Sequence, residues 1–407
     1  MNTKLVTLLV ILITLTSFLP GCTKYKYTPP KADETGWSEE GVEELSRAIN
    51  RFAINLYLNI SEKENIFFSP YSIFSAFALL YEGARGDTAR ELERVFFFPN
   101  DQTVRRPNFA RIYNLINNNS RYFNLHTANA LWIQKNYPIL QDYLQVIETY
   151  YGGEAFNVDF SGATEQTREL INEWIEHQTN YTIKNFFPPN SIDPLTRLVL
   201  TNAIYFKGIW LKQFDENETT EDIFWIDNDT TVKIQMMKVY DFFNYTETDD
   251  LQIIELPYKG KRICMLVLLP KRNIEQIEDN LTINSLNSWV ENLTEQRIEV
   301  YLPKINLSTE YSLKEILESM GLYSIFCPGE ADFSGIDGTK NLFVDEAIHK
   351  AFIKIDEKGT EASAATGIIM PISLPTIFRA DHPFIFLILD KETDIILFMG
   401  KIVNPAE

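Results

Sequence analysis

The order of patterns along the chain predicts an α+β fold in a single domain. Helical periodicity dominates the first part, strand-like runs dominate from Leu198 onward, and no long Pro/Gly/Ser linker divides the 407 residues after Gly36. With 45% hydrophobic and 13% aromatic residues the chain can bury a sizeable core. Helices followed by strands place that core between helices and large, mainly antiparallel sheets.

The first residues read as a leader. Lys4 precedes an apolar run at 5–19, then Pro20, Gly21 and Cys22, the layout of a secretory signal. The run is short for a spanning helix of roughly 20 residues. Leu19-Pro20-Gly21-Cys22 resembles a lipobox in which Cys22 is lipidated, although Pro is atypical at its second position; a plain signal peptide and an uncleaved anchor are the other readings. All three put the body outside the cytoplasm. We therefore divide the chain into a signal at 1–22, a flexible tether at 23–38 containing Pro29 and Pro30, and one folded domain at 39–407.

Within the domain, helices are expected at 40–60, 72–82 and 88–95, with Ser69-Pro70 as the cap and first turn of the second. Residues 128–134 read as a buried strand. Residues 164–179 read as a helix with Leu170, Ile171, Trp174 and Ile175 on one face. Strands follow at 198–206, 253–256, 263–269, 298–302, 347–356, 384–389 and 395–399. Hairpins are expected at 259–261 and 390–394, and a short helix at 313–320 ends at Gly321.

Composition excludes some partners. The formal net charge of -19 argues against nucleic acid or anionic headgroups, which need a basic surface. After Cys22 only Cys264 and Cys327 remain, too few for a disulfide framework; a bridge between them is left open. Sequons at Asn59, Asn180, Asn217, Asn244, Asn280 and Asn292 fit a glycosylated, secreted surface. There is no G-x-S-x-G, H-E-x-x-H, P-loop or paired C-x-x-C. His126, His177, His349 and His382 lack metal-ligand spacing, and each reads as structural; a triad of distant residues stays open.

One segment stands apart. After an alternating strand at 350–356, residues 357–367 are small or weakly polar and form no core pattern. Loops this long are uncommon and usually functional. Tested as a strand, its even positions are Thr360, Ala362, Ala364, Thr366, Ile368 and Met370, all small or apolar. Such a segment can be solvated in one state and buried in a sheet in another.

Here the residues resemble a known family. Glu357-Lys358-Gly359-Thr360-Glu361-Ala362 resembles the hinge of the serpin reactive loop. Asn65-Ile66-Phe67-Phe68-Ser69-Pro70-Tyr71-Ser72-Ile73 and Gly83-Ala84-Arg85-Gly86-Asp87-Thr88 are similar to the start of the serpin second helix and the turn after it. Asn202-Ala203-Ile204-Tyr205-Phe206-Lys207-Gly208-Ile209-Trp210 resembles the third strand of the main sheet. Glu255 to Gly260, Ala331 to Ile336, Ala380 to Phe384 and Phe398 to Lys401 also match. The likeness runs in order from about Glu40 to Pro405.

The resemblance implies a serpin fold with an exposed reactive-centre loop at about 357–380. It implies an inhibitor of serine, or cysteine, endopeptidases rather than an enzyme. A protease attacks the loop, forms an acyl-enzyme, and is trapped when the cut loop inserts into the main sheet. The hinge is then Glu357, Lys358, Gly359, Thr360, Glu361, Ala362, Ser363, Ala364, Ala365 and Thr366. Ser69, Ser72, Asn202 and His349 match the polar cluster where the sheet parts, and Trp210 matches the position beneath loop entry. Family spacing puts the scissile bond at Ser373–Leu374, with Ile372–Ser373 as the alternative. A small or apolar residue before the cut points to elastase-, subtilisin- or chymotrypsin-like targets, bound covalently one to one by a monomer. No catalytic residue, metal or cofactor is implied, and membrane contact is expected only through the N-terminal anchor. The competing reading is a non-inhibitory serpin acting as a binding or chaperone-like surface protein.

Overall fold

The computed structural model describes residues 31–60, 64–118, 120–179, 181–359 and 376–406. In chain order the elements begin with α1 (Glu39–Asn59), β1 (Ile66–Phe68), α2 (Pro70–Gly83), α3 (Gly86–Phe96) and α4 (Gln102–Ile116). Next come β2 (Phe123–Gln134), α5 (Gln141–Tyr151), β3 (Glu154–Val158), α6 (Thr164–Gln178) and β4 (Leu198–Gly208). A strand-rich stretch holds β5 (Thr220–Trp225), β6 (Thr231–Glu247), β7 (Leu251–Pro257), β8 (Ile263–Pro270), α7 (Glu275–Glu278), α8 (Ile283–Glu291), β9 (Thr294–Pro303) and β10 (Ile305–Ser312). The chain closes with α9 (Leu313–Ser319), α10 (Ser334–Asp337), β11 (Glu346–Ile355), β12 (Thr376–Arg379), β13 (Phe384–Asp390) and β14 (Ile395–Ile402).

Two sheets carry the architecture. The five-stranded sheet has the order β10-β11-β4-β2-β3, and the nine-stranded sheet runs β1-β14-β13-β8-β7-β6-β9-β12 with β5 on β6. Most pairs are antiparallel; β2 with β3, β4 with β11 and β9 with β12 are parallel. The expected α+β class and mainly antiparallel sheets hold.

Helix α2 sits at the centre and is buried along its whole length. Ser69 caps it, its side chain accepting the Ser72 N–H, and Pro70 occupies the first turn as expected. One face of the five-stranded sheet packs on α2. Alternation sends Trp132, Val199 and Ala203 to the other face, where α6 covers them with Ile171 and Ile175. Leu170 does not share that face: it is 50% exposed, because it lies about 100° round the helix from Ile171.

One open point is closed and one expectation is corrected. Cys264 is buried and Cys327 partly buried, and both are free thiols, so no bridge joins them. Residues 32–38, assigned to the flexible tether, are docked on the domain. Ala32 is buried, and Asn114 holds its backbone from both sides at 2.9 Å. Asp33 N–H donates to the Thr149 carbonyl at 2.7 Å, and the Arg111 guanidinium lies 4.6 Å from the Trp37 ring centroid. The segment is short and aperiodic, so its polar clamps leave no pattern to read. Of the sequon asparagines, Asn59, Asn217, Asn280 and Asn292 are exposed, Asn244 is half-buried within β6, and Asn180 lies outside the described residues.

Candidate functional site

The seam between β4 and β11 is the centre of the site. The two strands run parallel and pair directly, from Glu346 opposite Val199 to Phe352 opposite Tyr205. On their α2 face a polar row crosses the sheet at right angles to the strands. Asn129 of β2 is the register partner of Asn202 of β4, Asn202 that of His349 of β11, and His349 that of Tyr311 of β10.

This row is tied to the α2 N-terminus. His349 Nδ1–H donates to Asn202 Oδ1, and His349 Nε2 accepts the Ser69 N–H at 3.0 Å. Those two bonds require the neutral Nδ1–H tautomer. Burial agrees, pushing the imidazole down to about 3. Asn202 Nδ2 donates to the Ser72 carbonyl at 2.8 Å and hydrogen-bonds Ser72 Oγ at 2.6 Å, and it also reaches Asn129 Oδ1. Ser69 Oγ donates to the Leu397 carbonyl at 2.6 Å, which joins the seam to β14. The structure thus brings Ser69, Ser72, Asn202 and His349 together. Asn129 belongs with them and was missed, because one Asn inside an apolar strand is no signal without its partner.

The end of β11 folds over the top of β4. Asp356 N–H donates to the Gly359 carbonyl at 2.9 Å and Gly359 N–H returns to the Asp356 carbonyl at 3.1 Å, closing a two-residue turn at Glu357 and Lys358. Gly359 then bridges Ile209 in antiparallel fashion. Its φ is +125°, and a Cβ there would stand 2.3 Å from the Gly208 carbonyl oxygen and 2.6 Å from Trp210 N. Only glycine fits this approach.

Trp210 is the floor of the turn. Its backbone N–H donates to the Lys358 carbonyl at 3.1 Å and its indole N–H to the Asp356 carbonyl at 3.0 Å. The ring stacks on Tyr258 with centroids 4.3 Å apart. Glu357 is 5% exposed; it accepts from Thr219 Oγ1 at 2.7 Å and pairs with Lys304 at 2.7 Å. Burial raises its pKa, but the Lys304 ammonium and the Thr219 hydroxyl outweigh that and hold the carboxyl below its ordinary value. Lys358 pairs outward with Glu216 at 2.9 Å. The rest of the expected hinge, from Thr360 to Thr366, and Ile372, Ser373 and Leu374 lie outside the described residues.

Among the described side chains, the histidines form no catalytic set. His349 is fully buried with both ring nitrogens bonded. His382 faces Asp381 at 2.9 Å, yet its Nε2 is bonded to the Pro270 carbonyl at 2.7 Å and has no role left as a base. His177 is exposed on α6.

Two parallel strands paired directly within a mainly antiparallel sheet, with a tight turn at one end, define the class of fold. Comparison with known proteins gives that class its name. The sequence signature of the family described as serpin (serine protease inhibitor) spans residues 47–405. An uncharacterized serpin-like protein of Thermococcus kodakarensis is 41% identical over 379 residues, covering 91% of this chain and 88% of its own. Human Serpin B3 is 37% identical, covering 89% and 99%. Among solved structures, uncleaved ovalbumin superposes with a TM-score of 0.82 at 32% identity, over 89% of this chain and 100% of its own. Serpin48 of the insect Tenebrio molitor, titled a highly specific serpin, gives 0.79 at 33%, over 89% and 98%. The chain belongs to the serpin family, whose members are in general protease inhibitors rather than enzymes.

Proposed function

We propose that this serpin is a single-use inhibitor of serine, or cysteine, endopeptidases that traps its target by inserting the cut loop between β4 and β11. The observation that carries the reading is the direct parallel pairing of those strands. A segment returning from β11 through the turn at Glu357 and Lys358 runs antiparallel to both neighbours, and Gly359 already bridges Asp356 on one side and Ile209 on the other. Each backbone hydrogen bond gained on insertion is worth about 1 kcal/mol net, so roughly a dozen of them exceed ten kcal/mol. That gain is withheld kinetically until the loop is cut.

In the trapping step the protease nucleophile attacks the Ser373 carbonyl carbon. The Leu374 amine leaves with a proton, and Ser373 stays esterified to the enzyme. Ile372–Ser373 is the alternative bond. The residues before the cut fit elastase-, subtilisin- or chymotrypsin-like enzymes. The protein acts as a monomer outside the cell, held to the membrane by a lipid on Cys22.

The test is to mix the full chain with subtilisin, elastase, chymotrypsin and trypsin and to analyse the products by denaturing gel and mass spectrometry. A covalent complex with a released peptide starting at Leu374 supports the mechanism and the bond, and a start at Ser373 moves the bond by one. Cleavage by every protease without a complex overturns the inhibitory reading in favour of a non-inhibitory surface protein.

A further inference from the structure

An exposed ladder lies beside the far anchor of the loop, in the nine-stranded sheet and away from the β4–β11 seam. β12 begins at Thr376 and forms an edge of the nine-stranded sheet. Its register with β9 sets Ile377 beside Glu299 and Arg379 beside Tyr301. The register of β9 with β6 sets Glu299 beside Tyr240, Arg297 beside Phe242 and Tyr301 beside Lys238. Phe378, Ile298 and Val300 are 0% exposed and point into the core, so by alternation the partners just named share the outer face.

The composition of this face is unusual. Phe242 is 49% exposed and Ile377 50%. The Arg297 guanidinium lies 5.2 Å from the ring centroids of both Tyr240 and Phe242. Lys238 is paired with Glu299 at 2.6 Å, and Arg379 with Asp222 and Asp381. Arg297 makes no ion pair among the described residues, and its Nε is buried without a hydrogen-bond partner. A desolvated donor left open costs stability. Aromatic rings around an arginine are the composition of binding hot spots.

Reach identifies the occupant. Ile377 follows Leu374 by three residues, at most about 10 Å along the chain. A stable interface covers about 800 Å² on each partner, a patch of roughly 16 Å radius. Strands lie about 4.8 Å apart, so β6 is only about 10 Å from β12. A protease gripping the bond after Ser373 therefore has Ile377 inside its footprint and β6, at most about 20 Å away, at the edge of it.

We infer that the outer face of Tyr240, Phe242, Arg297 and Ile377 is a second docking surface for the protease that attacks the loop. This rests on the inhibitory reading above. The matching enzyme surface offers an apolar side chain against Phe242 and Ile377 and a carboxylate to Arg297. The surface raises the rate of encounter and selects among enzymes that cut the loop equally well.

The experiment compares the full chain with a Phe242→Ser/Ile377→Ser double variant and with Arg297→Glu. Association rate constants and stoichiometries are measured for every protease of the panel that forms a covalent complex, with melting temperatures as the folding control. The expected result is a fall of at least tenfold in association rate for one or more of these proteases, with stoichiometry and melting temperature unchanged. Rates within twofold for every trapped protease overturn the docking surface and leave the inhibitory mechanism standing. Absence of any complex with the unmodified chain overturns both. Sedimentation that finds dimers of the unmodified chain and monomers of the double variant also overturns it, making the face a contact between two copies.

Discussion

His349 and Asn202 are register partners across the β11–β4 seam and share a hydrogen bond on its α2 face. In the proposed insertion, a strand entering the seam would have to break that bond. The ring makes a second bond, in which Nε2 accepts the Ser69 N–H, and that one requires a neutral imidazole. Burial lowers the His349 pKa from 6.5 to about 3, so the folded protein resists the proton that the unfolded chain accepts. The stabilisation is full above pH 6.5 and is lost as pH falls toward 3, by about 1.4 kcal/mol per unit. In His349→Gln that slope is absent. We expect the stability difference between the unmodified chain and His349→Gln to be largest at pH 7 and to shrink steadily down to pH 4, in denaturant titrations. A difference that stays constant with pH would falsify this account.

Gly359→Ala places a methyl group within 2.3 Å of the Gly208 carbonyl oxygen. The turn must lift off Trp210, since backbone on both sides cannot yield. The expected outcome is a change in Trp210 emission and faster cutting of the loop by any protease. Cleavage without trapping should rise, because the first residue of the returning strand no longer fits. Emission and trapping like those of the unmodified chain would mean that Gly359 is not the pivot.

Lys304, between β9 and β10, pairs with Glu357 at 2.7 Å and ties the turn to that corner. The Glu357 carboxyl is held below its ordinary value, so the tie is present above pH 4.5 and is lost as pH falls through the lowered value. Removing the ammonium in Lys304→Met leaves burial as the main influence, and the carboxyl rises. The acid transition of Trp210 emission is expected to move to higher pH in this variant. A transition that stays in place would show that Lys304 does not hold the carboxylate.

Glu82 lies inside α2, bonded to Arg105 at 2.9 Å, Arg106 at 2.7 Å and Tyr151 at 2.6 Å. Burial alone would raise its pKa; the two guanidinium groups and the hydroxyl bring it below the ordinary value. Glu82→Gln strands two cations around a neutral amide, with Arg105 nearly buried. The expected cost is about 3 to 5 kcal/mol of stability, read from urea unfolding. A loss below about 1 kcal/mol would mean that water reaches and replaces the carboxylate.

Much of this was legible in the chain. Apolar periodicity located α1, α2 and α6, and alternation at 350–356 located β11. Face assignment failed at Leu170, where adjacent apolar residues span more of a helix than its buried stripe. Helix α4 escaped because Pro107 and a run of Arg and Asn leave its apolar face ragged. The family resemblance supplied Ser69, Ser72, Asn202 and His349. Asn129 and Tyr311 complete their row only through strand register, a long-range property that no local pattern encodes. The Arg297 ladder is likewise a product of register between β6 and β9.

The docking of residues 32–38 shortens the leash. Ala32 is fixed to the domain, so only ten Cα–Cα steps separate that point from Cys22. Fully stretched they span about 35 Å, less than the diameter of the body they would hold. A lipid on Cys22 would confine the inhibitor to a thin shell over the membrane. Within that shell its effective concentration is far above its bulk average. It would intercept proteases arriving at its own cell and leave those in the surrounding fluid untouched.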